Sequence, residues 1–285
     1  MKPLVSVIVP TYNRPDTLEE CLESINRQTY SSLEVLVVND GGQEVEEIIS
    51  KFNKEGNIRY IRHSTNRGPA AAKNSGIRAA RGKYIAYLDD DDIYYPDHVE
   101  TLVEFLEKDH HLVAYTDAFR VILGMKNDGY AIEKKDVPYS FDFDRDRMLV
   151  SNYIPTLCMM HETSCLEKTG MFDEGLMAHE DWELWIRMSR VFEFRHICER
   201  TCEFRLRLNA ASITSGRRRE FLRTLILIHE RYKELAEGKH HVGKEQKKTV
   251  KKQQILIKLW DIIDRISGVF GKRLTSLYKL KKYLI

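Results

Sequence analysis

The sequence has 285 residues, 42% hydrophobic and 31% charged, with a formal net charge of +2. That length and balance fit a soluble globular chain that buries one large core and carries an appendage. Five cysteines (Cys21, Cys158, Cys165, Cys198 and Cys202) in no paired spacing exclude a disulfide framework, and no run of about 18 apolar residues is present to make a membrane-spanning helix.

The opening stretch MKPLVSVIVPTYN has an apolar run too short for a signal peptide and reads as a strand. Residues 5–9 form that strand. Arg14-Pro15-Asp16 then offers helix-start chemistry ahead of the stripe Leu18, Cys21, Leu22 and Ile25. Residues 33–38 make a second strand, ending in the turn signal Asn39-Asp40-Gly41-Gly42, and Val45, Ile48, Ile49 and Phe52 mark a second helix. A third strand at 58–61 precedes a loop at 63–69 and a helix through 70–80. A fourth, at 84–88, ends directly in Asp89-Asp90-Asp91-Asp92. Pro96 is placed in the first turn of a helix carrying Val99, Leu102, Val103 and Leu106, and residues 112–115 form a fifth strand.

Nearly continuous apolar strands that alternate with helices predict an α/β fold with a parallel sheet covered on both faces. Ligands of such sheets bind beyond the carboxyl ends of the strands, where this chain places Tyr12, Asn13, Asp40 and the aspartates. Residues 142–150 and 180–191 read as helices, and 194–197 and 201–206 as strands. Helical patterns dominate from Arg217 onward.

Four adjacent aspartates repel one another, and a hard divalent cation such as Mg²⁺ or Mn²⁺ offsets that cost. A solvated acidic turn capping the helix near Pro96 is the alternative. Neither G-x-G-x-x-G nor G-x-x-x-x-G-K-[ST] occurs, so a phosphate here is held by a metal and side chains rather than by a glycine-rich loop. The pair Cys198 and Cys202 lacks a second pair with zinc-ligand spacing.

Pro10-Thr11-Tyr12-Asn13-Arg14 resembles the opening motif of the family 2 glycosyltransferases, which have the GT-A fold. Val37-Val38-Asn39-Asp40-Gly41, the run Asn66-Arg67-Gly68-Pro69-Ala70-Ala71-Ala72-Lys73-Asn74-Ser75-Gly76, and Tyr84 to Asp92 are similar to the blocks that follow. Gly170-Met171-Phe172-Asp173-Glu174 and His179-Glu180-Asp181-Trp182 resemble the later ones. The resemblance covers roughly residues 3–215 in the family's order and implies an inverting transfer from a nucleotide sugar, UDP-linked or similar, to a hydroxyl acceptor. An inactive nucleotide-sugar-binding assembly subunit is the other reading.

By that resemblance Tyr12 stacks on the base, with Pro10 and Thr11 lining the same pocket, and Asp40 bonds the base, a role compatible with capping the turn at Gly41-Gly42. Lys73 and Asn74 face the nucleotide, with a surface helix cation as the other reading of Lys73. Asp91 ligates Mn²⁺ or Mg²⁺, and Asp89 or Asp90 meets the ribose or a metal-bound water, Asp89 being the second candidate ligand. Asp181, beside Glu180, is the catalytic base, or else a first-turn acid favoured by the helix dipole. Trp182 stacks on a sugar or belongs to the core. Two positions depart from the family pattern: His161 where Arg is frequent, and Arg207 where His is frequent. Arg207 cannot ligate a metal, and Arg205 or Arg207 is a candidate diphosphate contact.

The division expected is a transferase domain over 1–215, with a nucleotide half at 1–117 and an acceptor and catalytic half at 118–215, then a basic helical region at 216–285. Residues 239–285 hold 13 Lys or Arg against three acids, a local net of +10, while 1–238 holds 32 basic and 40 acidic residues, a net of −8. Ile255, Leu256, Leu259, Ile262, Ile263, Ile266 and Phe270 form an apolar stripe, and Leu274, Leu277 and Tyr278 a shorter one, both beside lysines. Such helices lie on an anionic membrane or pack on protein, including a second copy of the chain. A cytoplasmic protein at the inner membrane face, with a saccharide or lipid-linked acceptor as in bacterial surface polysaccharide synthesis and no nucleic-acid partner, is the resulting expectation.

Overall fold

The computed structural model describes residues 2–126, 129–208 and 218–270, with side chains to residue 259 and none for residue 218. Two compact units result, Met1–Ala211 and Ser212–Ile285.

In the first unit β1 (Val5–Thr11), β2 (Leu33–Asn39), β3 (Ile58–Arg62) and β4 (Tyr84–Tyr87) alternate with α1 (Pro15–Asn26), α2 (Glu46–Phe52) and α3 (Pro69–Ala79). The four strands pair in parallel in the order β3-β2-β1-β4. Both faces of β1 are covered, so Val5, Val7, Ile8 and Val9 are fully buried, each worth about 1.5–3 kcal/mol relative to exposure. α3 presses on β1 through Gly76, where an added Cβ would lie 2.6 Å from Ile8 Cγ2. That close approach sets the depth of Lys73, one turn earlier.

After β4 come β5 (Ile93–Tyr94), α4 (His98–Lys108), β6 (Val113–Lys126), β7 (Gly129–Asp136), α5 (Arg145–Met148), a 3₁₀ turn at Thr156–Cys158, β8 (Met159–Glu162), α6 (Cys165–Thr169), α7 (Glu180–Val191) and β9 (Arg195–Arg207). The nine-stranded sheet continues from β4 through β8, β6, β9 and β5, with β7 on β6. β8 is antiparallel to both β4 and β6, so β6 keeps the direction of β4 with one reversed strand between them.

Several boundaries differ from the sequence reading. The helix expected over 142–150 is only α5, capped by Asp144 Oδ1, which accepts from Asp146 N and Arg147 N. The two strands expected at 194–197 and 201–206 are one strand, β9, whose register against β6 slips on either side of Asp117; such bulges hide a strand from a period-2 reading. Pro96 precedes α4 rather than entering it.

In the second unit α8 (Arg218–Arg231), α9 (Lys233–Glu237) and α10 (His240–Phe270) follow one another, and α8 packs on α10. No described helix is long and apolar enough to cross a membrane. The expected boundary at 215 and the pattern Leu274, Leu277 and Tyr278 lie outside the described residues.

Candidate active site

The carboxyl ends of β1, β2 and β4 meet the start of α3, and α7 approaches them through Lys73. Behind β1 the chain turns through Asn13, in the left-handed region at φ 56°. Asn13 Oδ1 accepts from Gln43 N at 2.8 Å, tying the loops after β1 and β2 together. Beside this tie Tyr12 is 45% exposed, free to offer its ring. Pro10 is half-buried within β1. Thr11 is buried and its hydroxyl donates to Asp90 Oδ2 at 2.7 Å, so it fixes a carboxylate rather than lining an open pocket.

Asp40 is buried at the end of β2. Its Oδ1 accepts from Arg67 N at 2.9 Å and its Oδ2 from Gly68 N at 2.7 Å, while His63 Nδ1 lies 2.7 Å from Oδ1. The turn at Gly41-Gly42 is held instead by Asn39 Oδ1, which accepts from Gly42 N at 2.8 Å. The turn-capping role read for Asp40 therefore belongs to Asn39, because the Asp40 carboxylate faces the start of α3. Gly41 (φ 72°) comes so close to the Thr65 backbone that a Cβ would collide with it.

The four aspartates separate by environment. Asp90, 4% exposed at its side chain, is enclosed by Thr11 and Arg14. Asp92 is buried and its Oδ1 accepts from Arg205 N at 2.9 Å, anchoring β9. Asp89 and Asp91 keep side chains 39% and 28% exposed, Asp89 paired with Lys73 Nζ at 3.2 Å and Asp91 with Arg14 Nη1 at 2.8 Å. Burial, then repulsion from Asp91, pushes Asp90 up to about 7; burial raises Asp91 as well, against the pull of Arg14.

No three His, Cys, Asp or Glu side chains among the described residues converge on a ready metal cage. Two half-buried carboxylates separated by one residue, in a run of four aspartates that outnumbers its partners Arg14 and Lys73, nevertheless fit a Mg²⁺- or Mn²⁺-type ion. Such ions take one or two protein carboxylates and complete their shell with phosphate oxygens and water.

Lys73 is 2% exposed, which excludes a surface cation. Its Nζ donates to Glu180 Oε1 at 3.0 Å as well as pairing with Asp89, so one buried ammonium joins the β4 end to the start of α7. Burial would lower its pKa, but Asp89 and Glu180 outweigh that and raise it. Asn74 is taken up otherwise: Nδ2 donates to Phe172 O and Glu174 Oε1, and Oδ1 accepts from Phe172 N. Both of its N–H groups pin the 172–174 loop, which leaves the nucleotide contact read for it without a donor.

Asp181 lies half-buried in the first turn of α7. Its Oδ2 accepts from Asn152 Nδ2 and Thr156 Oγ1, both at 2.9 Å, and its Oδ1 from Trp182 N at 2.7 Å. Burial, then the Glu180 carboxylate, pushes Asp181 up to about 6, while Lys73 and Thr156 pull it down. A carboxylate so held is ionised near neutrality yet basic enough to take a proton. Its neighbour His179 sits at φ 58°, a left-handed conformation unusual outside glycine and asparagine. Trp182 is 1% exposed with Nε1 donating to Met148 O at 2.6 Å, which makes it core and removes the sugar-stacking alternative.

His161 is a satisfied core residue. Nδ1–H donates to Glu162 O at 2.9 Å, Nε2 accepts from Tyr87 Oη at 2.8 Å, and burial lowers it to about 4. Arg205 and Arg207 both reach Glu20, at 2.6 and 3.3 Å, and Arg207 Nη1 donates to the Asp91 carbonyl at 3.4 Å. Asn152, Thr156 and His63 escaped the sequence reading. Asn152 and His63 sit in loops and Thr156 opens a 3₁₀ turn, and only their long-range partners give them roles.

The profile described as Glycosyl transferase family 2 matches residues 6–167, more than half of the chain. The chain belongs to this family. The glycosyltransferase YwdF of Bacillus subtilis (strain 168) is 31% identical over 194 residues, covering 68% of this chain and 70% of that protein. A glycosyltransferase of Rickettsia felis is 33% identical over 186 residues, covering 65% of this chain and 30% of that protein. The chain spans 26–59% of the length of the first four curated relatives it matches.

Among solved structures, mannosyltransferase PcManGT from Pyrobaculum calidifontis, in complex with GDP-Man and Mn²⁺, superposes with a TM-score of 0.66 at 16% identity over 99% of this chain and 80% of that one. S. aureus TarS 1–349 in complex with UDP-GlcNAc gives 0.63 at 21% identity over 79% and 65%. These likenesses establish the GT-A-type α/β fold for this family member.

Proposed function

We propose that the chain transfers a glycosyl group, with inversion, from a nucleoside diphosphate sugar to a hydroxyl acceptor. The observation that carries this reading is the pair of carboxylate centres bridged by Lys73: Asp89 and Asp91 at the end of β4, and Asp181 beside Glu180 at the start of α7. Tyr12 offers a ring for the base. Asp40 holds the loop that leads into α3 and stands beside the base site. Asp91, with Asp89, would hold Mn²⁺ or Mg²⁺, which when bound supplies charge neutralisation for the departing diphosphate.

Asp181 accepts the proton of the acceptor hydroxyl as that oxygen bonds to the anomeric carbon. The bond from carbon to diphosphate oxygen breaks on the opposite face, and the electron pair leaves with the nucleoside diphosphate. Asn152 and Thr156 hold Asp181 Oδ2 from behind, and Lys73 keeps Glu180 and Asp89 from repelling the charges that gather there. Retention of Asp91 and Asp181 favours an active transferase over an assembly subunit that only binds the nucleotide sugar. The two neighbours above were solved with UDP-GlcNAc and with GDP-Man; a UDP-sugar is our first choice of donor. A thermal-shift panel of UDP-, GDP- and dTDP-sugars tests it. One class of donor is expected to raise Tm with Mn²⁺ and far less without it, and a panel with no stabilising donor would rule the reading out.

A lipid-linked saccharide acceptor fits the second unit. Lys251, Lys252 and Lys258 accompany Ile255 and Leu259 on α10, all exposed. Each lysine near an anionic surface contributes about 1 kcal/mol. Lys251→Gln/Lys252→Gln is therefore expected to weaken partitioning of the full chain onto anionic liposomes roughly 30-fold. Equal flotation of the two proteins would remove the membrane role and leave α10 to protein packing.

A further inference from the structure

Arg14 stands just before α1, and its Nη1 lies between two carboxylates of the 89–92 turn, 3.0 Å from Asp90 Oδ1 and 2.8 Å from Asp91 Oδ2. The two contacts are unequal. Asp90 is a fixed anchor, its side chain 4% exposed and its other oxygen held by Thr11. Asp91, 28% exposed, is the partner that opens to solvent, and the Arg14 side chain is itself 29% exposed. Burial would weaken the Arg14 charge, but Asp91 and Asp90 outweigh it and raise its pKa. Arg207 is placed differently: its charge also attracts the Asp91 carboxylate, but it donates to the Asp91 carbonyl and pairs with Glu20, so the guanidinium hydrogen-bonded to that carboxylate is that of Arg14.

A metal–carboxylate bond of about 2.0–2.1 Å on an oxygen that already accepts a guanidinium hydrogen would set two cations within about 4–5 Å of each other, a costly arrangement away from bulk water. Arg14 therefore competes with a divalent ion for Asp91 Oδ2, and an ion that takes that oxygen displaces the guanidinium. A guanidinium released there meets a second group that suits its fork, since Arg pairs with phosphate as readily as with carboxylate.

The geometry points to Arg14 as an exchangeable counter-ion that pairs with Asp91 in the donor-free protein and passes to the donor diphosphate when a divalent cation binds Asp91. Metal and nucleoside diphosphate then bind as a linked pair, each tightening the other by the same factor. Arg14 occupies the anionic site when donor is absent and adds a diphosphate contact when donor is present. This rests on reading Asp89 and Asp91 as the metal and diphosphate site.

The test is Mn²⁺ binding to the full chain, followed by the spin-resonance signal of the free ion, with Mn²⁺ alone and with saturating UDP or GDP. Arg14→Gln is expected to bind Mn²⁺ alone about tenfold more tightly than wild type, and to lose the part of the diphosphate-dependent tightening that exceeds direct metal–phosphate bonding. Should the glutamine variant fail to fold, Arg14→Lys makes the same comparison: a single-point cation in place of the fork is expected to lose part of the diphosphate-dependent tightening. Equal Mn²⁺ affinity in wild type and Arg14→Gln, with binding abolished by Asp91→Asn, would overturn the counter-ion role and leave the metal site standing. No Mn²⁺ binding by any of the proteins, with or without diphosphate, would overturn the metal site and the proposal together.

Discussion

Asp181→Asn is expected to lower the rate of nucleoside diphosphate release by about 10²–10⁴-fold, the contribution of a positioned general base, while donor affinity stays within about twofold of wild type, because the role proposed for Asp181 is toward the acceptor hydroxyl. The amide keeps the shape of the carboxylate, and its one oxygen can still accept from Asn152 and Thr156 while the bond from Trp182 N is given up, but it cannot take the acceptor proton. The pH profile adds a second signature. Burial and Glu180 place Asp181 at about 6, so the base is mostly protonated at pH 5 and mostly ionised at pH 7.5. Wild-type turnover should rise with pH through about 6 and then level, and the residual rate of the variant should lack that rise. A variant that turned over at the wild-type rate would remove Asp181 from the chemistry.

Lys73→Met is expected to have the largest effect on stability. It leaves Glu180 and Asp89 without their shared buried ammonium. Removing one member of a buried ion pair costs about 3–5 kcal/mol, equivalent to a fall in Tm on the order of 10 °C for a unit of this size. Adding Glu180→Gln should recover part of the loss, because the uncompensated buried charge rather than the missing side-chain volume dominates it. Since Lys73 lowers the Asp181 pKa, whatever activity survives should show its rising limb at higher pH. Unfolding within about 2 °C of wild type would show that the bridge does not hold the two centres together.

The parallel half of the sheet was readable because β1, β2 and β4 are buried on both faces and their apolar runs are almost unbroken. β7, with the exposed run Glu133-Lys134-Lys135, carries no such run, and β6 loses its apolar pattern at Thr116-Asp117 although the strand continues to Lys126. Asp117 is buried there because Ser140 Oγ and His196 Nε2 bond it at 2.6 and 2.8 Å, partners that no local period reveals.

The same division runs through the candidate site. Polar residues at strand ends stand out against the apolar runs before them, which is why Tyr12, Asp40 and the aspartates could be selected. What each one touches was not legible. Lys73 and Glu180 are 107 positions apart and Asn152 and Asp181 are 29, and pairings at such separations leave no periodic trace. Asn74, selected for a nucleotide contact, holds the 172–174 loop, and Arg14, read only as part of a helix start and a motif, closes over two aspartates.

Asp91, at the end of β4, is expected to bind a nucleotide sugar through a divalent cation. Thermal unfolding of wild type and Asp91→Ala with each nucleotide sugar, in the presence and absence of Mn²⁺, tests it most directly. Wild type should gain about 3–4 kcal/mol of apparent stability at 100–1,000 times the dissociation constant of the right donor, only with Mn²⁺, and Asp91→Ala should lose that gain. Equal stabilisation of the two proteins, or stabilisation that ignores Mn²⁺, would contradict the account.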